Sequence, residues 1–489
     1  MYAGGGFSDW EIGDIDVFVQ NGVYHLFHLI IPNHDYIAHA ISTDGISWRR
    51  VDNALFVGHP GAWDDDMLWT MHATRRGNLY YLFYTGLAIR DRGMIQKIGI
   101  AISDDLIRWE KRKTGNFPIG SCGPHYEDLN NNPRGWLSFR DPYYYEEESQ
   151  AYLLVCARSA EGPFSRRGCV GLLQLTEDNN LAMYTPLLYP RMYDDVECPC
   201  LFKLNDRYYL LGSIREDIKV RYWFSDDLLG EYHSFHSDVL LPQGNYAARV
   251  VKDNGHWLLY NFYFMDGRVN SKRVLPPPKQ LDTDAHGRLV LTSFYRWETM
   301  TIHTMNQSEL IPVRALLSNP TATMEIDDQE WRLQSRSGYE LFCFSSSSTS
   351  YIWEGRLTVE GLGKCGLFCD VDQDGNGYFI PFDVVNGLVK IRTWGCNPDN
   401  MKEDFIFKDL QSNLFIVPAD RSFHFKLIRY GNYFELSLDG VIRLTLIDYT
   451  FSAPLLGLYS ASSRIVLSES TLKSLPHPVL EYASQEPTE

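Results

Sequence analysis

The sequence has no unbroken run of about 18 apolar residues, so a membrane-crossing helix is excluded. Its opening stretch, Met1 to Asp14, lacks a basic segment followed by an apolar one, and no secretory leader is expected. Positive charge is in short supply. Over 489 residues, 45 Lys and Arg stand against 62 Asp and Glu, a formal charge of −17. So acidic a surface repels phosphate backbones and anionic lipid, which argues against nucleic acid and membrane as partners. Cysteine is scarce and odd in number, nine in all, with no Cys-x-x-Cys pair of the zinc type. Cys198 and Cys200 have the spacing of neighbours on one strand face. Reduced, buried thiols in a cytoplasmic protein are the expectation. Long apolar stripes of helical period are absent too, which leaves β-structure.

Aromatic side chains are what the chain has in plenty: 30 Tyr, 26 Phe and 12 Trp. Half-buried pleats hold such rings well, and ring faces also stack on sugar C–H faces; composition does not separate the two uses. The 44% hydrophobic content is ample for packed cores, and the length implies two or three domains.

One phrase recurs along the first 260 residues: a turn, an aromatic pair, an apolar run. It begins at Asn21, Gly77, Gln150, Asn205 and Asn254, a spacing of roughly 50–70 residues that fits four-stranded propeller blades. A second phrase, strand then Asp-rich turn then aromatic, runs Ala40 to Trp48, Ala101 to Trp109 and Trp223 to Gly230, and reads as a hairpin. The expected fold is all-β: a five-bladed β-propeller over 1–295, a linker over 296–320, a lectin-like jelly-roll β-sandwich over 321–476 and a tail over 477–489. Pro276 to Pro278 break the pattern before the last hairpin, and from about residue 320 the strands alternate cleanly.

Three acids stand where a strand would not want them. Asp14, Asp141 and Glu197 each precede a copy of the first phrase, near the start of an inner strand. In a propeller those starts converge on one end of the channel. Carboxylates meeting there suit glycoside hydrolysis: one attacks or activates water, one protonates the leaving oxygen, a third holds the sugar. Crowded like charges raise at least one pKa, which keeps an acid protonated near neutrality. Arg140, beside Asp141, would fix carboxylates or hydroxyls. Tyr246 and Arg249 open the fifth blade at the same height. Trp69 and His72 would wall the pocket or fill blade core, and Trp10 is a further candidate to face sugar. No metal or organic cofactor is called for, since carboxylates supply both proton transfer and covalent chemistry. Asp370-Val-Asp372-Gln-Asp374 begins like a calcium loop, but Pro381 stands where a bidentate Glu is needed.

Arg140-Asp141-Pro142 and Glu197-Cys198-Pro199 resemble the Arg-Asp-Pro and Glu-Cys motifs of glycoside hydrolase family 32, the β-fructofuranosidases. His39 to Asp44 with Trp48, Tyr80 to Gly86, and Pro276 to Leu289 resemble further segments of that family, and family 43 is a more distant likeness. The resemblance implies a propeller plus sandwich and a retaining double displacement on a terminal β-fructofuranosyl or similar furanosyl unit. Asp14 would be nucleophile, Glu197 general acid/base and Asp141 transition-state stabiliser, with the first two about 5–5.5 Å apart. The chain departs from the family's pattern around the sugar. Trp10 to Asp16 lacks the Asn and Pro that flank the family's nucleophile. Its sugar-contacting Gln is replaced around His28-Leu29, and its Phe-Ser-Gly-Ser by Trp69-Thr70-Met71-His72. The acids are kept while the pocket is altered. Glycosyl transfer, inverting arabinosidase- or xylosidase-type hydrolysis at the same site, and sugar binding without catalysis remain alternatives. An oligosaccharide or small glycoside is the expected partner, and a homo-oligomer is left open.

Overall fold

The computed structural model describes residues 1–4, 11–121, 123–132, 134–265, 273–310, 312–346, 348–396 and 405–478. Trp10 lies outside the described residues. Two compact units divide the chain, with the boundary at Leu289/Val290.

In the first unit the chain forms five antiparallel sheets of four or five strands, each built from consecutive segments. Their inner strands are Glu11–Gln20, Met67–Arg76, Phe139–Glu147, Glu197–Leu204 and Asn245–Asp253. Each lies beside the next, and the fifth lies beside the first, which closes a five-bladed propeller. The second strand of a blade is covered on both faces, as in Val23–Ile31, whose seven central residues are all buried. This explains why the repeated phrase reads as a continuous apolar run instead of an alternation.

The turn that opens each copy joins a blade's first two strands. Asn21-Gly22, Asn205-Asp206 and Asn254-Gly255 all have positive φ at both positions. Such pairs form tight turns whose twist matches that of the flanking strands, and Asn, Asp and Gly adopt them at least cost. The second phrase is equally mechanical. Asp44 Oδ1 accepts the amides of Ile46 and Ser47 at 2.8 and 2.7 Å. Asp105 Oδ1 does the same for Ile107 and Arg108, both at 2.8 Å. The ring is fastened where its ends meet: the Tyr24 hydroxyl donates to Asp253 at 2.5 Å, and Tyr2 bridges to Leu275.

The second unit is one thirteen-stranded antiparallel sheet that folds over itself as a β-sandwich. Its organiser is the long strand Leu455–Ser474, which pairs with Lys364–Val371, Tyr351–Glu360 and Glu330–Ser345. Leu388–Cys396 shows the strict in–out burial expected of a strand with one wet face. The stretch expected as a linker, 296–320, is built into this unit. His303–Asn306 pairs with Leu455–Ser474, and Arg314–Ala315 with Glu330–Ser345. These strands are too short for an alternating pattern to show. No helix among the described residues is long and apolar enough to cross a membrane.

Candidate active site

All five inner strands break register at the same height. The shifts fall between Ile12 and Ile15, Trp69 and Met71, Arg140 and Tyr143, Glu197 and Cys200, and Tyr246 and Arg249. An extra residue in one strand bends it and re-aims the side chains on either side. At three of the bulges a residue takes a left-handed conformation, with φ of 57° at Asp141, 51° at Cys198 and 50° at Ala247. Pro142 and Pro199 follow the first two; having no N–H, they fit where the ladder is already broken.

The bulges gather the three acids at a cavity of about 410 Å³, which Asp14, Asp141 and Glu197 line together with Arg140, Trp69 and Tyr246. Asp14 accepts a hydrogen bond from the Thr70 hydroxyl. Asp141 Oδ2 accepts the Cys198 amide at 3.0 Å, while its Oδ1 is buried without a hydrogen-bond partner. Glu197 Oε1 accepts Arg140 Nη2 at 2.5 Å, and Oε2 accepts the Tyr246 hydroxyl. Burial pushes Asp14 above the usual carboxylate range; Thr70 opposes this and the charge of Glu197 adds to it. Asp141 is raised by burial against the pull of Arg140. Glu197 is raised by burial too, with Arg140 lowering it and the charges of Asp141 and Asp195 raising it. One buried site thus holds carboxyl groups that keep their protons at higher pH than free ones do, as general acid catalysis requires.

Asp14, not Asp16, is the first-blade acid at the cavity. Asp16 lies deeper in the channel, where it accepts the Ala73 amide at 2.7 Å and His72 Nδ1 lies 3.1 Å away. His72, read as pocket wall or blade core, and Arg249, read as a contact to a sugar hydroxyl or to a catalytic acid, do not line the cavity. His72 stacks on Tyr143 with ring centroids 4.2 Å apart. Arg249 Nε pairs with Asp16 at 3.2 Å, and its Nη1 donates to the carbonyls of Cys198 and Pro199 at 3.0 and 3.1 Å. It buttresses the bulge that carries Glu197. His72 is taken up instead by Asp16 and Tyr143, which come from the first and third blades.

Several contacts at the site went unread in the sequence. Thr70 was read only as a replacement in the pocket wall, yet it is the donor to Asp14. Trp69 Nε1 and His34 Nδ1 are buried without hydrogen-bond partners, and both residues line the cavity. Leu29 and Ile31 form an aliphatic wall beside Asp14. Gly13 must stay small there, since a Cβ would fall 2.9 Å from that of Leu29. Arg215, Phe262, Phe264 and Arg273 complete the lining.

Asp14, Asp141 and Cys198 bring ligand atoms within 4.8 Å of one another, the nearest approach to a metal-binding group among the described residues. Burial pushes the Cys198 thiol well up, so it stays protonated and is a poor ligand. A larger cavity, about 660 Å³, lies in the second unit among Tyr339, Trp394 and Phe407. Its one carboxylate, Asp383, is taken up by a turn with Asn386, so it offers no acid pair.

Residues 13–261 match the family model of the glycosyl hydrolases family 32 N-terminal domain. The chain belongs to glycoside hydrolase family 32. The matched segment carries the whole acid cluster and all five bulges. A 205-residue stretch is 28% identical to the raffinose invertase of Escherichia coli, covering 40% of this chain and 39% of that protein, so the match spans well under half of the relative. Solved structures share the fold at low identity. The Bombyx mori β-fructofuranosidase is 16% identical with a TM-score of 0.67, over 96% of this chain and 92% of that one. The sucrose-6-phosphate hydrolase of Lactobacillus gasseri is 16% identical with a TM-score of 0.68, over 96% and 91%. The exo-inulinase of Aspergillus awamori is 12% identical with a TM-score of 0.66, over 96% of each.

Proposed function

We propose that this family 32 chain releases a terminal β-fructofuranosyl unit from a small oligosaccharide by a retaining double displacement. The observation that carries the reading is the meeting of Asp14, Asp141 and Glu197 on the bulges of three blades around one cavity. In the first step the Asp14 carboxylate forms a bond to the anomeric carbon as the glycosidic C–O bond breaks. Glu197 gives its proton to the departing oxygen. In the second step Glu197 takes a proton from water, whose oxygen attacks the same carbon and frees Asp14. Asp141 stabilises the positive charge that develops on the sugar in the transition state of each step, and its unpartnered Oδ1 is a free acceptor for a sugar hydroxyl. The names of the relatives, a raffinose invertase and a β-fructofuranosidase among them, support the choice of sugar. A cytoplasmic location is part of the same proposal.

The test is turnover of purified protein on fructosyl, arabinosyl and xylosyl oligosaccharides. Release of fructose from sucrose or raffinose is expected; cleavage confined to pentosides would replace the sugar, and a product longer than the substrate would indicate transfer.

A further inference from the structure

Behind the acid cluster the first unit holds a ladder of alternating charge, buried from Arg140 through Asp195 to Arg158, that the proposed chemistry does not use. Arg140 Nη2 donates to Glu197 at 2.5 Å and also to Asp195 Oδ2 at 3.0 Å. Arg158 Nη2 donates to that same Asp195 oxygen at 3.0 Å and to Asp194 Oδ2 at 3.2 Å. Arg134 Nη1 then reaches Asp194 at 2.6 Å. Asp195 is held by a third donor, the Ser138 hydroxyl, at 3.0 Å on its other oxygen. The Arg158 side chain is 0% exposed, and its guanidinium lies 4.0 Å from the Trp136 ring centroid.

A guanidinium has one positive charge to share. Where two carboxylates bind the same nitrogen, each feels less of it than it would alone. We propose that Asp195 is a positioning residue for the acid/base: it divides the grip of Arg140 and so sets how readily Glu197 parts with its proton. Arg158 in turn decides how much of Asp195 is left for Arg140. This rests on Glu197 as the acid/base of the proposed function.

The groups that face Glu197 from each packed element are few. Arg140 and Asp141 come from the third blade's inner strand, and Cys156 from the strand beside it. Tyr246 comes from the fifth blade and Asp14 from the first. Asp195 and Cys198 flank it in sequence, and Arg215 lines the same cavity. Only Asp195 acts on Glu197 from behind Arg140, out of reach of substrate in the cavity.

Two substitutions should therefore act in opposite directions. Asp195→Asn ends the competition of Asp195 for Arg140 and favours the ionised form of Glu197. Arg158→Met frees Asp195 for Arg140 and favours the protonated form. The experiment is the pH dependence of kcat and KM on sucrose, with infrared titration of the Glu197 carboxyl, assigned by subtracting the Glu197→Gln spectrum. The alkaline limb and the infrared midpoint are expected to fall by about one pH unit in Asp195→Asn and to rise in Arg158→Met, KM staying level. If the single variants do not fold, the double variant removes the buried pair together; a lowered midpoint is expected there. Equal loss at every pH with an unmoved midpoint, or shifts of the same sign in both variants, overturns the proposal. Absence of turnover on any fructoside by the unaltered protein would overturn the functional reading instead, and the infrared titration would still test Asp195.

Discussion

The amide of Cys198 donates to the carboxylate of Asp141 at 3.0 Å, so the bulge beside Glu197 also fixes Asp141. The same economy holds around the ring. Thr70 of the second blade serves Asp14 of the first, and Tyr246 of the fifth serves Glu197 of the fourth. Each acid is held by a neighbouring blade, and the site exists only when the propeller is closed.

Asp14→Asn and Glu197→Gln should each lower turnover by about 10³-fold or more, with the fold intact. Activity assays alongside circular dichroism check this; near-full activity in either variant would remove that residue from the mechanism.

Two donors should move opposite limbs of the pH–rate profile. Thr70→Val removes a hydrogen bond that favours ionised Asp14, so the acid limb should rise. Tyr246→Phe removes one that favours ionised Glu197, so the alkaline limb should rise instead. Each shift is expected to be about half a unit to one unit, read from kcat/KM against pH.

The burial that raises Asp14 costs stability. Its unfolded value is near 3.9, and its folded value is higher. As pH rises from one to the other, the unfolded chain has lost its proton while the folded protein keeps it, so stability falls through that window and stays lower above it. Asp14→Asn is free of this cost. Its Tm should exceed that of the unaltered protein by about 1–3 °C at pH 7, and the gain should vanish below about pH 4. Calorimetry at the two pH values decides the point.

Arg249→Met should destabilise the first unit by about 3–5 kcal/mol, because it strands a buried carboxylate and two carbonyls. Arg249 and Asp16 are each 1% exposed, so water does not compensate. Urea unfolding measures the loss; a change of less than about 1 kcal/mol would contradict the buttressing role.

The architecture was legible because local chemistry repeats. Asn-Gly and Asn-Asp turns, and Ser-x-Asp turns such as Ser42 to Asp44, each answer a backbone need that recurs in three of the five blades. The acids were legible for the same reason, as misplaced charges at equivalent points. What lay hidden is between blades. Thr70 meets Asp14 from 56 positions away, and Tyr246 meets Glu197 from 49. No local pattern encodes such a pairing. His72 and Arg249 were placed at the sugar by their nearness in sequence to Trp69 and Tyr246; the groups that take them up, Asp16 and Tyr143, come from other blades. The short strands over 303–315 were read as linker because two to four residues are too few to alternate.

The most direct test of the account is the anomeric form of the first sugar released, followed by NMR within seconds of mixing protein with sucrose. A double displacement through Asp14 predicts β-fructofuranose first, with the configuration of the substrate retained. Appearance of the α-anomer first would mean that water attacks directly, and would contradict Asp14 as the nucleophile.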